Sequence, residues 1–268
     1  MIDLKQIDEA LNFHIKLRTF PIAIRMCTSG EEIPQEAKLP LRDLGVKINT
    51  CEGIAMARYY GYTVAIRKED ENCSAGALFL GFLPFKRAHL EGNIQYPPCT
   101  TKEALAKNAQ AMKNDSLEYG KYEYMLLAPL KNAAFEPHVI LLYGNPAQIG
   151  RLVVGAFSQT GEPLVSRTRG SGSCSNITRT MIEDECTPNL PGLSDMRIAG
   201  CPDYEANFIM PLSKIEKTIE GLVATQKMGY RYPFAPYLKS RRQVEFPEEE
   251  QFSIQFKKFL EGIWEEGE

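Results

Sequence analysis

Apolar positions recur at helical spacing from the first turn of the chain. Asp3 and Gln6 form a weak capping box, and Leu4, Ile7, Leu11 and Ile15 then fall on one face. Pro21 ends that run, and PIAIRM reads as a short strand. Residues 28–48, with Pro34 and Pro40, read as an ordered loop. CEGIAMARYYG predicts a short helix stopped by Gly61, TVAIRK a strand, and ENCSAGALFLG a small-residue turn or helix carrying Cys73. FLPFKRAHLEGNIQYPP looks irregular. Thr100 and Glu103 then form a T-x-x-E capping box that opens a helix through about Met112.

The second half is patterned more sharply. YEYMLLAPL and HVILLYG are apolar and strand-like. Asn145, Pro146 and Gln148 supply a cap, a first-turn proline and a third-position partner for the helix PAQIGRLVVGAFSQ, which stops at Gly161. A Gly/Ser turn precedes a helix from about Ser173. MRIAGCPDYEANFIMP reads as two strands with Cys201 in the turn between them. Ser213 and Glu216 form another capping box, for a helix through about Lys227, and a last helix is expected near FSIQFKKFLEGIW. Without repeats, low-complexity linkers or a visible boundary, the order predicts an α+β or α/β fold. The expected form is a mixed sheet with flanking helices, one compact unit over 1–268, with 228–268 as a C-terminal extension.

Composition changes this picture little. The chain has 268 residues, 44% hydrophobic and 24% charged, with a net charge of −3. That charge leaves no electrostatic footprint for nucleic acid. The start, MIDLKQIDEALNFHIKL, lacks a signal-peptide core, and no stretch approaches the roughly 20 apolar residues that span a bilayer. A cytoplasmic protein with no membrane partner is expected, with homo-oligomers allowed. Tyr230, Tyr232, Phe234 and Tyr237, interleaved with Pro233 and Pro236, read as a packed aromatic loop rather than a stacking face for single strands.

The chemistry lies in seven cysteines: Cys27, Cys51, Cys73, Cys99, Cys174, Cys186 and Cys201. No two make a C-x-x-C pair, and an odd number argues against a complete disulfide framework. In a reducing compartment such thiols point to metal or redox chemistry. Thiolate is the form that ligates or attacks, and helix N-termini favour it. Cys51 and Cys174 open predicted helices, and Cys73 and Cys201 stand in small-residue turns where amides can approach sulfur. Cys27 reads as core, Cys186 sits beside acidic residues, and Cys99 follows two prolines. Any one of the seven can equally be a buried small hydrophobe. His14, His89 and His138 have no ligand spacing around them. Arg167 and Arg169, with Gly170 and Gly172 of the turn before Cys174, suggest an anion or cofactor cradle, although the P-loop lysine and spacing are missing.

PIAIRM, CEGIAMARYYG, CSAGALFLG, HVILLYGNPAQIGRLVVGA, GSGSCSNI and IAGCPDYEANFIMPLSKIEKTIEGL follow one another in an order that resembles the domain of unknown function 169 family, an uncharacterised archaeal and bacterial group. The resemblance runs from about residue 10 to 226 and is strongest at ILLYGNPAQ and at the segments of Cys174 and Cys201. It implies that Cys51, Cys73, Cys174 and Cys201 are the recurrent cysteine positions. Where members often carry an arginine shortly after the last cysteine, this chain has DYEAN.

The expectation is therefore a cytosolic iron–sulfur protein. A [4Fe–4S] cluster would be held by Cys51, Cys73, Cys174 and Cys201, or by three of them with one iron left open. It would serve redox or Lewis-acid chemistry, as an oxidoreductase or a lyase-like enzyme, on a small-molecule substrate or with an electron-transfer partner. The alternatives are a metal-free thiol enzyme with Cys174 as nucleophile, and a non-enzymatic zinc or small-molecule module.

Overall fold

The computed structural model describes residues 3–234, apart from Pro97 and Ser171. The final helix expected near 252–264, Tyr237 and most of the proposed C-terminal extension lie outside the described residues. Helix α1 (Leu4–Ile15) leads into strand β1 (Ile22–Cys27), the short helix α2 (Pro40–Asp43), α3 (Thr50–Tyr60) and β2 (Val64–Arg67). Three helices follow, α4 (Ser74–Phe79), α5 (Arg87–Leu90) and α6 (Lys102–Asn114), and then β3 (Tyr124–Pro129) and β4 (Val139–Gly144). The chain continues through α7 (Pro146–Thr160), α8 (Cys174–Glu183), β5 (Thr187–Asn189), α9 (Leu193–Arg197), β6 (Ala206–Pro211) and α10 (Ile215–Lys227).

The strands form one six-stranded sheet in the order β2-β3-β1-β4-β6-β5, with every neighbouring pair antiparallel. The fold is α+β. Antiparallel sheets often leave one face wet, but here β3 and β4 are buried at every position. The reason is that helices cover both faces. Ile22, Ile24, Val139, Leu141 and Ile209 pack under Ile54 and Ala57 of α3 and Ile177 of α8. Their neighbours in the strands, Ala23, Ile140, Leu142, Phe208 and Met210, pack on α1, α7 and α10 through Leu11, Leu152 and Leu222. That is why these strands read as continuous apolar runs rather than as alternation.

Helices α7 and α10 cross at two glycines. A Cβ at Gly221 would stand 1.9 Å from the Gly155 carbonyl oxygen, and one at Gly155 would stand 2.8 Å from Leu222. Beside the crossing, Arg151 is fully buried. Its guanidinium donates to Thr225 Oγ1 at 2.8 Å and to the Leu222 carbonyl at 2.5 Å. No carboxylate pairs with it among the described residues, and burial alone brings its pKa down to about 10.

Several local expectations need correction. The cap of α6 is Thr101, whose hydroxyl accepts from Ala104 N–H at 3.2 Å, and not Thr100. Ser213 does not cap α10. It lies in the 3₁₀ turn Leu212–Lys214, and its hydroxyl donates to Asp184 at 2.7 Å. Of the two strands expected in 196–211 only β6 forms, because Met196 and Arg197 close α9 and Cys201 follows in an irregular segment. The loop 28–48 contains α2, and the stretch before Pro97 contains α5. The Asn145 cap is as expected: its side chain accepts from Gln148 N–H, and Gln148 accepts from Asn145 N–H, both at 2.9 Å.

Candidate functional site: a pocket of three thiols

Residues 48–50 are tied to 70–72. Ile48 N–H donates to the Asp70 carbonyl and Asn72 N–H to the Ile48 carbonyl, each at 2.9 Å. This clamp brings Cys51, in the first turn of α3, beside Cys73, the cap of α4. Glu71 fixes both ends, accepting from Thr50 Oγ1 at 2.5 Å and from Cys73 N–H at 2.8 Å. The Cys73 sulfur accepts from Gly76 N–H at 3.4 Å. A Cβ at 76 would press on Thr50 Oγ1 and the Glu71 carboxylate at 3.1–3.2 Å, so glycine lets these groups pack closely on α4.

Cys174, the first residue of α8, reaches the same place from the other side. Its helix start is pinned by Asp195 of α9, whose Oδ2 accepts from Ser173 N–H at 3.0 Å, Ser173 Oγ at 3.1 Å and Gly192 N–H at 2.8 Å. The Tyr143 hydroxyl on β4 meets Ser173 Oγ at 3.0 Å, and Asn207 of β6 donates to Ser173 Oγ at 3.1 Å. Cys51, Cys73 and Cys174 thus line one cavity of about 40 Å³, together with Tyr96, Gly172 and Ser194. Cys51 and Cys174 are buried and Cys73 half-buried.

Burial raises the pKa of all three thiols. The groups around them add to this. Cys73, Asp195, Glu71 and Cys51 each push Cys174 further up. Burial also raises Glu71 and Asp195 above the usual carboxylate range, against the hydrogen bonds that they accept. No lysine or arginine stands among the described residues of the cavity wall. As placed, no three His, Cys, Asp or Glu side chains among the described residues form a group that could hold a metal ion.

The fourth expected ligand stands elsewhere. Cys201 lies across Asp195, to whose carbonyl its N–H donates at 2.9 Å, and it does not line the cavity. Its thiol donates to Glu205 at 3.7 Å. Glu205 is ion-paired with Arg58, which is buried and lies over the Tyr143 ring at 3.8 Å. Burial raises the Cys201 thiol to about 11, opposed by Arg58.

The turn before Cys174 divides as well. Gly172 lines the cavity, and Gly170 turns the chain at φ +69° with its carbonyl accepting from Leu193 N–H. Both arginines are taken by carboxylates, Arg167 by Glu183 at 2.7 Å and Arg169 by Asp115. Cys27 is core, as expected, and Cys186 packs in the second apolar cluster. His138 accepts from Met26 N–H at 3.1 Å and has a structural place. Sequence reasoning missed Glu71, Asp195, Ser173, Tyr143 and Tyr96. Glu71, two residues before Cys73, and Ser173, directly before Cys174, carried a signal by position. Asp195 and Tyr143 reach the site only through the fold.

The fold and its pocket define an α+β protein with both sheet faces covered and a cluster of buried thiols on one of them. The family model DUF169, described as an uncharacterised ArCR, matches residues 10–221, and the chain belongs to that family. No curated protein and no solved structure matches the chain. Among the described residues no helix is long and apolar enough to cross a membrane.

Proposed function

We propose that the protein is an iron–sulfur protein in which Cys51, Cys73 and Cys174 hold a [4Fe–4S] cluster, leaving one iron for a small-molecule ligand. The single observation that carries this reading is the meeting of three thiols, from three separate chain segments, on one cavity. The donor set fits: thiolates are the ligands of such clusters. The Gly76 amide donates to the Cys73 sulfur, and Cys51 and Cys174 stand at the starts of α3 and α8, where the helix dipole favours the negative charge that ligated sulfur carries. Cys201 is engaged with Glu205 and Arg58, so a three-cysteine set is favoured over the four-cysteine one. Cys51, Cys73 and Cys174 would hold the cluster only after coming closer together than they stand here. A bound cluster with an open iron supplies a Lewis acid or a redox centre.

The chain's own residues prepare the rest. Glu71 and Asp195 hold the three helix starts that present the thiols, and Tyr96 closes the wall. Three thiols and two carboxylates crowded without a cation favour protonated forms. A cation would reverse this, deprotonating the thiols and releasing protons as it binds. A metal-free nucleophile at Cys174 is favoured less, because its surroundings push the thiol up and not down. The test is metal analysis of protein purified without oxygen. About four irons and four acid-labile sulfides per chain are expected, with brown colour. Zinc near one per chain would give the zinc module instead, and protein free of metal would remove the proposal.

A further inference from the structure

The end of α3 and the segment from α9 to β6 present an apolar face that the described residues leave uncovered. Leu193 and Met196, three apart on α9, are both exposed, Leu193 at 61%, and Ile198 follows them. The Tyr59 hydroxyl donates to the Gly200 carbonyl at 3.2 Å, which joins the end of α3 to this segment. Tyr60, the next residue of α3, is 71% exposed, and Tyr204 is open as well. We infer that a second copy of this chain docks on this face, giving a two-fold symmetric homodimer. The inference uses none of the thiols and needs no cluster.

Area is the first argument. At about 200 Å² for a large side chain, these six leave roughly 600 Å² of apolar surface open. That is the upper end of the largest apolar patch on an ordinary monomer, about 300–600 Å². With a polar rim it reaches the ~800 Å² that each partner gives to a stable interface. Tyrosine and methionine are also enriched at interfaces.

Charge is the second argument, and it chooses the occupant. Residues 59–62 carry no charge. In 190–204 Asp195 is buried, which leaves Arg197 and Asp203 as the exposed charged groups. Neither makes an ion pair among the described residues. One cation and one anion around an apolar centre offer nothing to a polyanion or an acidic membrane surface. They are complementary to themselves. In a two-fold contact residue i meets j and j meets i, so Arg197 of each copy stands against Asp203 of the other.

Sedimentation analysis of the full chain, reduced and free of metal, tests this from about 0.1 to about 100 μM. The wild type should dimerise with a Kd of about 1 μM or tighter. Leu193→Asp puts a charge at the centre and should weaken association at least about hundredfold. Val223→Asp, at an exposed apolar position on α10 across the sheet, should leave it unchanged. Arg197→Asp and Asp203→Arg should each weaken the dimer about tenfold, and the two together should restore it to within about threefold. All four positions are exposed, so folding is not at stake. A monomer throughout the range would overturn the inference and leave the face to another protein or to residues 235–268. So would a dimer indifferent to Leu193→Asp, one lost with Val223→Asp, or a double variant no tighter than the single ones, since the copies would then meet elsewhere.

Discussion

Around Cys201 a guanidinium, a carboxylate and a thiol balance one another; around Cys51, Cys73 and Cys174 three thiols are backed by two carboxylates, and no cationic side chain lines the cavity among the described residues. The two groups lie on either side of Asp195, on the same face of the sheet. A buried charge is tolerated when it is paired, and burial of acids without a cation pushes them toward their protonated forms. The first group is therefore complete as protein. Under the iron–sulfur proposal, the second is the group that a cation would complete.

The largest way to break this comparison is to remove one thiol from each side. Cys174→Ser should lose nearly all bound iron and sulfide in protein handled without oxygen, and Cys201→Ser should keep them. Equal loss from both would return Cys201 to the ligand set. Next comes Arg58→Met. It leaves Glu205 buried without its partner and should cost roughly 3–5 kcal/mol of stability by denaturant titration of the metal-free protein. An effect below about 1 kcal/mol would mean that the group around Cys201 is not a closed unit.

Alkaline pH gives a smaller effect. Burial holds the Cys201 thiol at about 11 and the Cys186 thiol at about 12, above the ordinary thiol value near 8.5. The folded chain keeps these protons longer than the unfolded one. The stability they contribute is whole below about pH 8.5 and is lost as pH rises through the folded values. Melting temperature should fall over that window, and the fall should be shallower in Cys186→Ala. The smallest effect sharpens the fold away from both sites: Thr101→Ala should cost about 1 kcal/mol, and Thr100→Ala less than about 0.5.

The sequence pattern revealed what is local. The helices around Asp3, Asn145 and Ser173 and the apolar strands were readable, because a cap or a run of side chains within one segment decides them. Small-residue and helix-start settings grouped Cys51, Cys73 and Cys174 with Cys201, and the fold brings the first three, not the fourth, to one cavity. Contacts across long separations were not readable. Arg58 meets Glu205 across 147 residues and Arg169 meets Asp115 across 54, and these pairs decide that Cys201 and the arginine turn serve other partners. The choice between Thr100 and Thr101 fails for a different reason. Both are good caps, and the start of the helix, not propensity, picks one.

The crossing of α7 and α10 sets a practical limit on where this protein can be cut. The family match ends at Gly221, one residue short of Leu222 and four short of Thr225, the two acceptors of the Arg151 guanidinium. A chain trimmed at that boundary would strand a cation in the interior and strip Leu222 from the apolar layer, whereas a cut after Lys227 would keep both. The packed layer reaches past the residues that the family model matches.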